Sequence, residues 1–389
     1  MNLQKVFLRR SKRIRAGHLW IFSNEIAGNL KSFDPGSLVE IYDKSGEYLG
    51  TGYINPSSLI AVRLLTRDKE TIDSAFFNKR IRAAVKFRER FMPECDSFRA
   101  VFSEGDFLPG LIVDKYGDCL VVQLLTLGMD RMKDIVLSAL DEVIPCSSIV
   151  LRNDGRGRLL EGLPLYMEIA KGPIEQMPII HEAGIALEVN PLSGQKTGFF
   201  LDQRENRLAF CSLLETGKGL DLFCYSGDWG LHAAAKGCNV TFVDDSADAL
   251  EIAGRNAALN NLSERCGYVK EDVFSFLRGQ IGPGIKYDFV ILDPPAFVKS
   301  GQKINEGLRG YRELNALAMS VIRKGGMLAT SSCSYHIDKG IFADMLRNAA
   351  RDAGRMIRLL EWRSQGKDHP VLMSVPETEY LKCAFLEIS

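Results

Sequence analysis

Over roughly the first seventy positions, short apolar runs alternate with turn signals: LVEIYD, KSGEYLGTGYIN and PSSLIAVRLL. Period-two alternation broken by glycine and serine predicts short, half-buried strands, and several in so short a stretch predict a small β-barrel. The pattern changes near position 71. FFNKRIRAAVKFRERFM repeats its apolar residues at helical spacing over a basic face, and FRAVFSEGDFLPGLIVDKYGDCLVVQLLT then reads as two or three strands. From about 186 onward, strand-like runs (GLDLFC, NVTFVD, GYVKED, YDFVILD, GMLATSSC) alternate with helical stretches such as ADALEIAGRNAALNN and YRELNALAMSVI. Such alternation predicts a parallel sheet with helices on both faces, an α/β fold. The chain is therefore expected to divide into three domains, over residues 1–70, 71–185 and 186–389.

A length of 389 residues suits two or three domains. Lys plus Arg and Asp plus Glu are equal at 49 each, so no overall field draws in a polyanion, and any nucleic-acid surface has to be a local patch. No run approaches the ~20 apolar residues of a membrane span, and the basic start KVFLRRSKRIR leads into GHLWIFSNEI instead of a long apolar signal core. The expectation is a soluble, cytoplasmic protein with no membrane partner. Nine cysteines (Cys95, Cys119, Cys146, Cys211, Cys224, Cys238, Cys266, Cys333 and Cys383) are scattered singly, with no C-x-x-C pair. That spacing points to no metal site and fits a reducing compartment, where most free cysteines behave as small buried hydrophobes.

In an open α/β sheet the ligand sits beyond the carboxyl ends of the strands, so the strand-ending residues carry the chemistry. DLFCYSGDWG ends the first strand of the last domain, with Gly227 and Gly230 flanking a tight turn into a helix. The G-x-G-x-x-G of a dinucleotide fold is absent. VTFVDD ends the next strand at Asp244, where an acid can hold both ribose hydroxyls, and KEDVFSFL supplies Asp272, able to accept from an adenine amine beside Val273 and Phe274. Each acid alone could equally be a helix N-cap; their ordered series is what points to a nucleoside pocket. A ribose-binding acid without a phosphate cradle points to S-adenosylmethionine more than to NAD. DPPAF follows the fourth strand, with Asp293 at its head, and SSCS follows the fifth.

These residues, with RAGHLWIFSNEI, SEGDFLPGLIVDKYGD, GQKTGFFLDQRENR, DPPAFV and the closing DHPVLMSVPETEYLKC, carry a resemblance over nearly the whole chain. The sequence resembles the RlmI-like 23S ribosomal RNA cytosine-C5 methyltransferases. The resemblance implies an N-terminal β-barrel PUA domain that binds RNA, a central α+β domain, and a class I, Rossmann-like methyltransferase domain using S-adenosyl-L-methionine. The candidate cofactor positions are Phe199 and Gln203 in GQKTGFFLDQRENR, Asp221, Phe223, Tyr225, Ser226 and Gly227 around the first strand and its turn, and Asp244, Asp272, Val273 and Asp293. Where relatives often carry a Gly-Gly turn, this chain has Gly227-Asp228-Trp229.

The resemblance also favours Cys333 as catalytic nucleophile, with Asp293 holding the target base. C5 of cytosine is a poor nucleophile until a thiolate adds to C6, and an acid near N3 can stabilise the charge that develops there. Burial as a packing residue is the other reading of Cys333, and His336 is a candidate base. Methylation of a guanine ring nitrogen or of an exocyclic amine stays open, the latter weakened because Ala296 intervenes between the prolines and Phe297. A non-catalytic RNA-binding protein with a vestigial pocket stays open too. The RNA patch is expected at Arg9, Arg10, Arg13 and Arg15, beside Trp20 and Phe22, widened by Lys79, Arg80, Arg82, Lys86, Arg88 and Arg90. The expected partner is 23S ribosomal RNA or an assembling large subunit; the oligomeric state, a homodimer included, is left open.

Overall fold

The computed structural model describes residues 3–298 and 303–389. They form two compact units, one from Met1–Ile180, Val189–Leu201 and Lys367–Thr378, the other from His181–Glu188, Asp202–Gly366 and Glu379–Ser389.

The first unit holds two five-stranded sheets with separate cores. In the first sheet the order is Gln4–Phe7, Leu38–Tyr42, Tyr48–Ile54, Val62–Thr66 and Trp20–Ile21, with Gln4–Phe7 parallel to its neighbour. Its alternating positions, including Val6, Val39, Ile41, Val62 and Leu64, bury one apolar cluster, as period-two patterning requires. The second sheet runs Tyr166–Lys171, Ser148–Asn153, Cys119–Leu124, Leu111–Tyr116 and Phe98–Phe102. Helices Ser74–Phe91 and Lys133–Val143 contribute Phe76, Phe77, Ile81, Val136 and Leu140 to its core. Asp73 caps the longer helix, its carboxylate accepting from the Phe76 amide.

The second unit is built on a seven-stranded sheet: β1 (Lys218–Leu222), β2 (Asn239–Asp244), β3 (Cys266–Lys270), β4 (Tyr287–Leu292), β5 (Ile322–Ser332), β6 (Ile357–Arg363) and β7 (Lys382–Ile388), in the order β3-β2-β1-β4-β5-β7-β6. Its helices are α1 (Arg204–Leu213), α2 (Asp228–Ala235), α3 (Ala247–Leu259), α4 (Val273–Ile281), α5 (Ile304–Val321) and α6 (Lys339–Asp352). One sheet face sends Leu220, Leu222, Val290 and Leu328 against Phe276, Leu314, Met319 and Phe342. On the other, Phe210 of α1 meets Trp229, Phe289 and Phe385 at centroid distances of 6.3, 6.4 and 5.1 Å. At Gly219 a Cβ would lie 2.1 Å from the Phe289 ring, so only a bare backbone lets that ring cross the strand.

The expectation of a wholly parallel sheet is corrected at one side. β7 pairs antiparallel with both β5 and β6, so it enters the sheet from the opposite end. Hydrophobic patterning marks neither of these last two strands nor α6.

A buried ion cluster ties three elements of this unit together. Arg207 of α1 donates to Glu182 Oε1 and Oε2 at 2.9 and 2.7 Å and to Asp228 Oδ2 of α2 at 2.7 Å. Arg204 Nε and His232 Nε2 also meet Glu182, at 3.1 and 2.9 Å. Burial alone would raise the Glu182 carboxyl, yet Arg207, His232 and Arg204 hold it well below its ordinary 4.5. Replacing Arg207 by Met takes the buried cation from Asp228 and leaves Glu182 with Arg204 and His232 alone, and is expected to cost about 3–5 kcal/mol at neutral pH in urea unfolding. Because the folded-state value of Glu182 is depressed, its contribution is complete above 4.5 and fades as the pH falls. The gap between parent and Arg207→Met should therefore narrow on acidification; a gap constant with pH would remove Glu182 from the account.

Candidate active site

Parallel pairing sets Leu222 beside both Val243 and Leu292, and Leu292 beside Thr330. The strands β1, β2, β4 and β5 therefore end at one edge, where they deliver Phe223, Asp244, Asp293 and Cys333. Beyond β1 the backbone is left-handed three times in five residues, at Phe223 (φ 59°), Tyr225 (φ 47°) and Gly227 (φ 79°). Two of these carry side chains, a strain of order 1–3 kcal/mol each that surrounding bonds must hold. The Asp221 carboxylate accepts from the Gly230 amide at 2.8 Å, Asp244 Oδ2 from the Tyr225 amide at 3.1 Å, and the Ser226 carbonyl from Asn256 Nδ2 at 3.0 Å. Asp221 is 1% exposed and lies under the turn, its carboxyl pushed well up by burial and further by Asp228. Burial also raises Asp244, which is half-buried at the end of β2, with amide bonds from Ser246 and Tyr225 opposing the shift.

Gln203 couples the two later strand ends. Its amide nitrogen donates to Asp293 Oδ2 at 3.0 Å and to Ser331 Oγ at 3.1 Å, while its oxygen accepts from Asn206 at 2.7 Å. The hydroxyl of Tyr311 on α5 lies 3.0 Å from Ser334 Oγ and 3.4 Å from the Pro295 carbonyl, so one buried side chain joins the DPPAF segment to the SSCS segment. Ser332 and Ser334 are fully buried, whereas Cys333 between them is partly exposed. Asp272 is exposed, and its Oδ1 caps α4 by accepting from the Ser275 amide at 2.9 Å; Val273 is buried. Phe199 belongs to the first unit and is buried there, while the other cofactor candidates belong to the second. His336, partly exposed, meets Tyr335 edge-on at 5.3 Å. Among the described residues no group of three or more His, Cys, Asp or Glu is placed to hold a metal ion, and no helix is long and apolar enough to cross a membrane.

The basic positions of the first unit are less uniform than their run suggests. Arg9, Arg10 and Arg13 are exposed, with Arg13 stacked 4.4 Å from the Phe22 ring. Arg15 instead reaches Asp43 at 2.7 Å and Glu47 at 2.5 Å, and Trp20 Nε1 donates to Glu104 at 2.7 Å. Arg88, expected on the basic face, is buried and paired with Asp106, because the helix turns that residue toward the sheet. Lys86 and Arg90 remain exposed.

A family model described as a PUA-like domain matches residues 5–67, and one described as Conserved hypothetical protein 95 matches 203–332. Ribosomal RNA large subunit methyltransferase I of Pseudoalteromonas atlantica is 38% identical over 378 residues, 96% of each chain. That of Escherichia coli K12 is 37% identical over 383 residues, again 96% of each. The chain belongs to the ribosomal RNA large subunit methyltransferase I family. Two solved structures share its fold at 20% identity: a protein described as a SAM-dependent methyltransferase from Streptococcus mutans (TM-score 0.84, covering 99% of this chain and 100% of that one), and SMU.776 complexed with SAH (TM-score 0.86, 100% of each). The fold is thus the class I methyltransferase fold with a PUA-like domain before it.

In this member of the ribosomal RNA large subunit methyltransferase I family, the departure at Gly227-Asp228-Trp229 points inward. Asp228 joins the Arg207 ion pair and Trp229 packs on Phe210, so neither side chain takes up the outer side of the turn. Three residues at these strand ends escape sequence reasoning: Asn256, Tyr311 and Lys382, whose Nζ donates to the Ser334 carbonyl at 2.8 Å. Only Lys382 left a signal, as one cation at the head of the apolar strand KCAFLEI.

Proposed function

We propose that this chain is an S-adenosylmethionine-dependent methyltransferase acting on C5 of a cytosine in large-subunit ribosomal RNA, with Cys333 as nucleophile. The observation that carries the reading is the adjacency of the β4 and β5 ends, with Asp293 and Ser331 bridged by Gln203 and Cys333 two residues on. The three-part division at 1–70, 71–185 and 186–389 belongs to the same reading: barrel for RNA, central domain beside it, chemistry in the last.

The residues at the β1 and β2 ends suit an uncharged nucleoside. Asp244, raised by burial, gains from the two hydroxyl donors of a ribose, and a strained turn supplies close backbone approach with no cradle for a pyrophosphate. Gln203, Tyr225, Ser226, Gly227 and Val273 join Asp244 in the candidate set; Asp221 shapes the turn from below, and Asp272 completes the set. Bound there, S-adenosylmethionine supplies an electrophilic methyl group.

Cys333 Sγ, as thiolate, forms a bond to C6 of the cytosine; the C5=C6 pair shifts to C4=C5 and the C4=N3 pair onto N3, which leaves C5 nucleophilic. Asp293, as the protonated acid, donates its proton to N3 as the charge arrives there and takes it back when the ring double bond re-forms. C5 then bonds to the methyl carbon as the carbon–sulfur bond of the sulfonium breaks, its electrons remaining on that sulfur. A base removes the C5 proton, the double bond re-forms, and Cys333 leaves as thiolate. Arg9, Arg10 and Arg13 hold phosphates while Trp20 and Phe22 offer ring faces.

Asp244→Ala is expected to weaken S-adenosylmethionine binding by about 1.5–3 kcal/mol, more than tenfold. Calorimetry with unchanged affinity would take Asp244 out of the pocket. RNA carrying 5-fluorocytosine cannot lose its C5 substituent as a proton, so it should trap a covalent adduct on the parent after methyl transfer. Cys333→Ala should lose both methylation and adduct while keeping cofactor binding, and Cys224→Ala should keep all three. Methylation by Cys333→Ala at the parental rate would redirect the chemistry to a ring nitrogen or an amine.

A further inference from the structure

Lys382 opens β7 with a side chain 8% exposed, in a strand otherwise built of Cys, Ala, Phe, Leu and Ile around one Glu. Lysine is rarely buried without a partner that needs its charge. In the antiparallel register of β5 and β7, Lys382 faces Ser332, the residue just before Cys333. Its Nζ donates at 2.8 Å to the carbonyl of Ser334, the residue just after Cys333, and at 2.8 Å to the Tyr380 carbonyl. The ammonium is thus pinned beneath the turn that carries the thiol. Two carbonyls need only a neutral donor such as an amide, so they do not account for a full charge.

We propose that Lys382 is a positioning residue for Cys333, its fixed ammonium stabilising the thiolate form of the sulfur. The inference rests on the reading of Cys333 as nucleophile. The thiol proton passes to water, the sulfur keeps the electron pair, and the lysine retains its three protons and forms no covalent bond. A cation beside a cysteine is a recognised means of raising its thiolate fraction. The charged groups around this ammonium are Cys333, Glu379 ahead of β7 and Asp338 ahead of α6, all of which favour its protonated form. Desolvation opposes them and brings the lysine down to about 8, so at pH 7 it stays largely charged. Tyr311, bonded to Ser334, is the titratable group on the α5 side.

The test is the pH profile of Cys333 alkylation by iodoacetamide in the full chain, read by mass spectrometry of the peptide containing Cys333. Neither RNA nor cofactor is needed. The parent should show a labelling midpoint below the ~8.5 of a free thiol. Lys382→Gln, which keeps a donor and removes the charge, should move the midpoint up by about one unit and slow labelling at pH 7 about tenfold. Lys382→Arg, which keeps its charge across the whole range, should bring the midpoint back to the parental value or below it. A parental midpoint at or above the free-thiol value overturns the proposal with no variant required, as does a Lys382→Gln profile that matches the parent. Because labelling is independent of methyl transfer, a Cys333→Ala chain that still methylates RNA defeats the nucleophile and leaves the labelling result standing. Thiol-dependent methylation with an unmoved Lys382→Gln profile defeats Lys382 alone.

Discussion

The site depends on strand register. Four parallel strands with Leu222, Val243, Leu292 and Thr330 in lateral alignment end at nearly one level, so each residue that follows is delivered to the same edge. Side chains in a strand alternate faces, so a one-residue slip of β4 would turn its apolar set of Val290 and Leu292 away from α4 and α5. Packing of those residues against Phe276, Leu314 and Met319 fixes the slip at zero. Chemistry at the edge is in this sense a by-product of core packing: Asp293 lies beside Ser331 because Val290 lies beside Leu328.

Polar groups complete what register begins. The turn after β1 places Phe223 and Tyr225 in a conformation that side chains rarely adopt, and amide bonds to Asp221 and Asp244 hold it there. Beneath it, Glu182, Arg207 and Asp228 lock α1 to α2, so the helix that begins at the turn has a fixed origin. Gln203 sits just ahead of Arg204 and Arg207, which makes the same short stretch both an anchor in the ion cluster and a bridge to Asp293. An ion cluster of this kind is a weak source of stability relative to an apolar core of similar volume, yet it specifies one arrangement of α1 against α2.

Much of this was legible in the residues. Apolar runs mark β1 to β5 and three strands of the first sheet, Leu38–Tyr42, Tyr48–Ile54 and Val62–Thr66, because a strand that buries one or both faces cannot hide its apolar positions; Gln4–Phe7 and Trp20–Ile21 are too short to show a period. β6 went unread because it is an edge strand whose IRLLEWR is polar at three of seven positions, and β7 because its direction depends on a return through 364–381 with no regular pattern. Asp244 and Asp293 do lie at the strand ends that position alone indicates, whereas Asp272 serves as the N-cap of α4 that a local reading allows equally well. Charges were the least legible. Arg13 and Arg15 look alike in a basic run, but Asp43 and Glu47, some thirty residues on, neutralise only the second. Arg88 reads as one more cation on a basic helix, and only the tertiary fold shows Asp106 waiting beneath it.

The interior place of β7 bears on how the sheet is completed during synthesis. β7 is the last strand in sequence, yet it lies between β5 and β6 and hydrogen-bonds to both. Until residues 382–388 have left the ribosome, β5 carries an open row of amides and carbonyls along one side, a template on which other nascent chains can pair. The strand that closes this edge is the one that brings Lys382 to the Ser334 carbonyl, so Cys333 and this lysine come together only as the sheet is sealed.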